Sequence, residues 1–215
     1  EIVIPFLDSG NYYINIYRDI NIGTNQPITL LAEIPDFGIT SINPAQGGNT
    51  GFVTFKVYGV QFDTTLSAFL VNNLDTISSD TIYYIDPATI YPSFDLTNQN
   101  LGLYNFVITK SSGATATLLN GFEIVPGVPA DLNLQVSYPS VTRTGWVEAV
   151  IISYSNEGNT DIKFPISSIV SKSEATLGFN NIELSYELRN LFLNFTDESW
   201  SNEILLPGVL GCLKE

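Results

Sequence analysis

The chain contains no histidine, no methionine and a single cysteine, and it has only 8 basic residues against 22 acidic ones. Each shortage removes a class of function. A serine or cysteine nucleophile working through a catalytic triad needs a neutral imidazole as its base, and none exists here. Zinc sites built from histidine and paired cysteine are excluded on the same ground. One cysteine, Cys212, cannot form an intrachain disulfide; beside Gly211 near the end of the chain it reads as a plain thiol. Phosphate backbones and anionic membrane surfaces select clustered Lys and Arg, so a formal charge of −14 argues against both nucleic acid and membrane partners. No apolar run reaches the 18 residues of a spanning helix, and no basic-then-apolar signal segment is present. The missing initiator methionine leads us to expect a processed product or a piece of something longer.

What is abundant is apolar and aromatic. Hydrophobic residues make up 44% of the 215, with 11 Tyr and 13 Phe, enough to build packed cores. Their periodicity is two. Val53, Phe55 and Val57 alternate, as do Tyr104, Phe106 and Ile108, the pattern of a strand with one face buried. Turn signals recur at Gln46–Asn49, Asn72–Asn73, Asp86–Pro87, Asn98–Asn100 and Ser111–Gly113. The expected fold class is therefore all-β, built of β-sandwiches.

Residues 1–35 read as strands without a domain of their own. Ile2, Ile4 and Phe6 alternate around Pro5, which suits an edge or a donated strand. Tyr12, Ile14 and Ile16, then Ile28, Leu30 and Ala32, give two more. Three strands bury too little surface to stand alone, so they pack on the rest of this chain or on another. Residues 36–126 form a first sandwich and residues 127–215 a second, joined at the proline-stiffened segment Val125–Pro129. In the second, Leu132, Leu134, Val136 and Tyr138 alternate, and so do Val147, Ala149, Ile151 and Ser153. Between Asn181 and Phe195 the apolar spacing fits a strand or a short helix, with strand favoured by the surrounding β character.

Three resemblances follow from these residues. The run Ile39–Pro44, with Gly51, Val53, Phe55, Val57, Gly59 and Phe62 and the closing stretches Gly102–Ile108 and Ala116–Phe122, resembles an IPT/TIG immunoglobulin-like domain over about residues 37–125. Val60-Gln61 stands where that family often has Asn before Phe. Tyr154, Asn156, Gly158 and Asp161 match the Y-x-N-x-G-x-x-D turn of an Ig-like repeat in large bacterial surface proteins. Gly10-Asn11-Tyr12-Tyr13-Ile14-Asn15-Ile16 is similar to the last strands of a pre-peptidase C-terminal type sandwich. Together they imply tandem immunoglobulin-like sandwiches with extra N-terminal strands, an extracellular or cell-surface location, and no catalytic residues.

Candidate sites are few. Asp36, Asp131 and Asp161, with Asn156, Glu157 and Asn159, offer hard oxygen ligands that would suit calcium at domain junctions. No D-x-D-x-D-G loop accompanies them, so solvated acidic turns are the favoured reading and no cofactor is expected. Tyr12, Tyr13, Tyr17, Tyr83 and Tyr84 could stack on sugars, although adjacent aromatics in a strand point to opposite faces. Asn194-Phe195-Thr196 is a lone acceptor triplet for N-glycosylation. Carboxylates are plentiful but unpaired by any motif, and the chain reads as no enzyme. The expected function is a structural subunit or segment of a bacterial surface filament, self-associating head to tail through Ile2, Ile4 and Phe6 or continuing into neighbouring domains. The alternative is an adhesin or carbohydrate-binding surface module that recognises glycans.

Overall fold

A computed structural model describes residues 35–73, 75–141, 143, 145–146, 148–163, 166–171, 190–194, 204–208 and 210–214. Ile2, Ile4 and Phe6, Tyr12, Tyr13 and Tyr17, and the segment 181–189 lie outside the described residues, as does Phe195. The described elements are all strands, with no helix among them.

The first sheet contains β1 (Gly38–Asn43), β3 (Phe52–Thr54), β4 (Lys56–Val60), β7 (Thr81–Asp86) and β8 (Thr89–Asp95). The second contains β2 (Gln46–Gly48), β5 (Ser67–Val71), β6 (Thr76–Ser78), β9 (Gly102–Thr109) and β10 (Thr115–Val125), in the order β2-β10-β9-β5-β6. β3 and β4 lie end to end along one side of β8 in a common register, Val53 opposite Phe94 and Val57 opposite Ile90, while β7 takes the other side. β1 runs antiparallel to β4 and stops at Asn43 opposite Lys56. The chain then crosses to the second sheet, where β2 lies parallel to β10.

The two sheets share one core. The alternating residues Val53, Phe55, Val57, Tyr104, Phe106 and Ile108 are all fully buried in it. Phe55 is its hub: its ring stacks on Phe122 at 4.6 Å and Phe94 at 5.5 Å, and meets Phe106 edge-on at 5.4 Å. These offset and T-shaped arrangements are the favoured geometries of aromatic quadrupoles. Phe37, just ahead of β1, packs against this core and meets Phe62 at 6.4 Å.

The remaining strands are β11 (Leu132–Ser137), β12 (Ile151–Asn156), β13 (Ile162–Lys163), β14 (Ile166–Val170), β15 (Asn190–Asn194), β16 (Ile204–Leu205) and β17 (Leu210–Lys214). β11, β12 and β17 form an antiparallel sheet, and β13–β16 and β14–β15 form two ribbons. Asn194 ends β15 opposite Ile166. On β12 the buried phase is Ile152, Tyr154 and Asn156, opposite to the phase expected from Ile151 and Ser153. The reason is Asn156. Its amide donates to the Thr160 and Leu205 carbonyls at 2.7 and 3.3 Å and accepts from the Gly158 N–H at 3.1 Å, so a polar side chain is satisfied inside.

Because Phe55 touches three other core rings, Phe55→Ala should destabilise the chain by about 3–5 kcal/mol. Chemical denaturation followed by tyrosine and tryptophan fluorescence measures this; a loss under about 1 kcal/mol would contradict the assignment of Phe55 as hub.

Candidate functional site: the sealed junction

β8 carries five consecutive buried residues, Ile90 to Phe94. A strand with one solvated face alternates, so both faces of the sheet are covered along β8. Its inner face meets the core through Ile90 and Phe94. Its outer face carries Thr54, Tyr91 and Ser93, all buried, and it is covered by the C-terminal strands. Tyr91 forms a separate apolar cluster with Ile204 and Leu206, against which Tyr83 packs.

Beside this cluster lies a polar clasp. In the β3–β8 pairing the Phe55 N–H donates to the Pro92 carbonyl at 3.3 Å, so the backbone groups of Phe52 and Thr54 point away from β8. β1 would have met them had it continued past Asn43. Asp161 takes the vacant place. Its N–H donates to the Phe52 carbonyl at 2.8 Å, and its Oδ1 accepts from the Thr54 N–H at 3.0 Å. One residue thus supplies the donor and the acceptor of a missing strand. The Thr54 hydroxyl lies 2.7 Å from Asp161 Oδ2 and 2.9 Å from the Ser93 hydroxyl. Lys163, two residues on, sets its ammonium 3.4 Å from the centroid of the Phe52 ring.

Asp161 keeps part of its residue surface exposed, but its carboxylate abuts the fully buried Thr54. Burial pushes its pKa up to about 7, outweighing the Thr54 hydroxyl and N–H and the Lys163 charge, which pull it down. Either protonation state is satisfied locally. An ionised Asp161 accepts from Thr54, which then accepts from Ser93; a protonated one donates to Thr54, which donates to Ser93.

The turn before Asp161 fastens the connection between the two halves. Asn159 donates through its side chain to the Pro126 carbonyl at 3.0 Å and accepts from the Val128 N–H at 2.7 Å, while its own carbonyl accepts from the Gly48 N–H at 2.8 Å. Asn49 holds the Gly127 N–H from the other side at 3.1 Å. A Cβ on Gly158 would collide with the Pro129 carbonyl, and one on Gly48 with the Asn159 side chain. The segment that reads as a linker is therefore pinned at successive residues.

The structure separates the three aspartates proposed as calcium ligands. Asp36 precedes β1, at the end where Gly38 faces Val60, whereas Asp161 sits beyond the opposite end of that strand. The Asp131 carbonyl accepts from the Glu157 N–H at 2.9 Å as an extension of the β11–β12 ladder. No group of three His, Cys, Asp or Glu side chains able to hold a metal occurs among the described residues. Tyr83 belongs to the junction cluster, while Tyr84 packs on the main core and lines a groove of about 500 Å³ with Asp63, Leu66, Ser78, Asp80 and Ile82. The sequence offers Asp161 and Asn159 as candidate ion ligands, with a solvated acidic turn as the favoured reading, and does not point to Thr54, Ser93 or Lys163. The signal for them is the unbroken burial of Ile90–Phe94, which a search for strict alternation passes over.

No family model matches this chain, and no curated protein is significantly similar to it.

Asp161 gives a signed pH dependence. Its folded pKa of about 7 lies above the ordinary 3.8, so the folded state binds the extra proton between those values. Its contribution to stability is fully present below about pH 4 and is lost as pH rises to about 7, by a few kcal/mol at most. Urea denaturation between pH 4 and 8 should show this fall, and Asp161→Asn should flatten it. An unchanged slope in the variant would contradict the assignment.

Proposed function

We propose that this chain is a non-enzymatic structural subunit or segment of an extracellular bacterial fibre, assembling head to tail by β-strand exchange. The observation that carries the reading is the sealed junction. A connection pinned by Asn49 and Asn159 and closed by Asp161 on Thr54 makes a stiff unit, which suits a stalk better than a flexible tether. Its most unusual polar groups are engaged in joining strands.

The strand order supports the immunoglobulin-like reading of the first sandwich. The first strand divides between the sheets, as β1 and β2, with β2 parallel to the last strand β10. The β4-β8-β7 side packs over β10-β9-β5-β6, the partition expected of that fold. An IPT/TIG-type domain followed by a repeat of bacterial surface type fits this order. It also fits the turn Tyr154–Asp161, where Tyr154 packs in a core, Asn156 bonds through its amide, Gly158 permits a close approach and Asp161 forms the clasp. In this reading Glu1–Leu7 is the donated strand, with Ile2, Ile4 and Phe6 as its anchors.

A second reading, glycan binding, draws on the groove at Tyr84, where an aromatic ring, hydroxyls and the Asp63 and Asp80 carboxylates converge. One experiment separates the two. Negative-stain microscopy and gel filtration of the chain with and without residues 1–7 should show filaments that vanish on deletion. A monomer in both forms would contradict strand exchange, and glycan retention lost in Tyr84→Ala would then favour the second reading.

A further inference from the structure

β11 is an edge strand of its sheet among the described residues, pairing β12 on one side. The Glu157 N–H donates to the Asp131 carbonyl in the same register that sets Leu132 opposite Asn156. Bonded pairs alternate in an antiparallel ladder, so Asn133, Gln135 and Ser137 turn their backbone groups to β12. The N–H and C=O groups of Leu132, Leu134 and Val136 therefore face the open edge. Those same residues carry their side chains on the face of Tyr154 and Ile152, which are their cross-strand neighbours and are buried. Leu134 and Val136 nonetheless remain 38% and 53% exposed. Apolar side chains in the core phase of a strand, left exposed beside unpaired backbone groups, are the mark of an absent neighbour. The edges at β6 and β7 fit less well. β6 spans only Thr76–Ser78, and on β7 the core-phase Ile82 and Tyr84 already pack on the first core.

We propose that β11 is the acceptor edge, and that Glu1–Leu7 of a second copy pairs with it antiparallel, Ile2 opposite Val136, Ile4 opposite Leu134 and Phe6 opposite Leu132. This deepens the strand-exchange reading and rests on it. Two independent constraints choose this geometry. Pro5 has no N–H, so it must turn away from the acceptor, and Ile2, Ile4 and Phe6 then turn their backbone groups toward it. In an antiparallel pair, residues that bond each other stand directly opposite with side chains on one face, which places the three apolar residues beside Leu132, Leu134 and Val136. In a parallel pair with the same Pro5 phase, Ile4 would lie beside Asn133 or Gln135 and its face would be polar.

The test is oxidative cross-linking of the full chain in a Cys212→Ser background. Ile4→Cys with Leu134→Cys should give a ladder of covalent multimers, reversed by reductant, with folding checked by the unchanged denaturation midpoint. Ile4→Cys with Gln135→Cys, whose side chains point to opposite faces, should give at least tenfold less. Filaments without the 4–134 ladder would overturn the acceptor and leave strand exchange standing. A cross-link confined to monomers would overturn the second copy as occupant. Neither filaments nor ladder would overturn acceptor and strand exchange together.

Discussion

The structure depends on two backbone groups, the Phe52 carbonyl and the Thr54 N–H. When the chain leaves the first sheet after Asn43 to supply β2 to the second, these groups lose the strand that should have bonded them. Thr54 is fully buried, and an unpaired backbone group in such a place costs about 1–3 kcal/mol. Asp161 answers both at once, with its N–H and its carboxylate. The crossing that lets one strand serve two sheets is thus coupled to a residue more than a hundred positions away. That coupling turns the outer face of the sheet into an interior, buries Tyr91 and Ser93, and brings β16 down onto it.

A carboxylate in this position carries a second consequence. It accepts hydrogen bonds that favour its charge, yet burial favours its neutral form more strongly, and the Thr54–Ser93 hydroxyl pair can serve either state by reversing direction. The residues leading to it are as constrained. Tyr154 packs in the second core, Asn156 bonds across its own turn, Gly158 passes too close to Pro129 for a side chain, and Asn159 ties the connecting segment to both sides. Beyond this joint, among the described residues, β11 ends its sheet with Leu134 and Val136 exposed.

Much of this is legible in the sequence. The period-two pattern of Val53, Phe55 and Val57 and of Tyr104, Phe106 and Ile108 names the first core residue by residue, because polar Thr54, Lys56 and Asn105 stand between these core-facing residues and leave an alternation to read. β8 is hidden for the opposite reason: with both faces covered, Ile90-Tyr91-Pro92-Ser93-Phe94 has no alternation to detect. β12 reads in the wrong phase because its interior includes Asn156, and an amide satisfied by three backbone groups cannot be told from a solvated one by residue type. Asp161 reads as an acidic turn residue for a related reason. Its partner Thr54 is a small hydroxyl on a distant strand, and only the fold brings them together.

The most direct measurement is amide hydrogen exchange at Thr54 in the intact chain near pH 5, resolved residue by residue. Among the described residues Thr54 has no β neighbour on that side, so without the Asp161 clasp its N–H would exchange at the rate of an open edge. With the clasp, protection should be comparable to that of its neighbours Val53 and Phe55, which bond to β8. Exchange as fast as at an unpartnered edge amide would contradict the clasp, and with it the claim that the two halves form one closed unit.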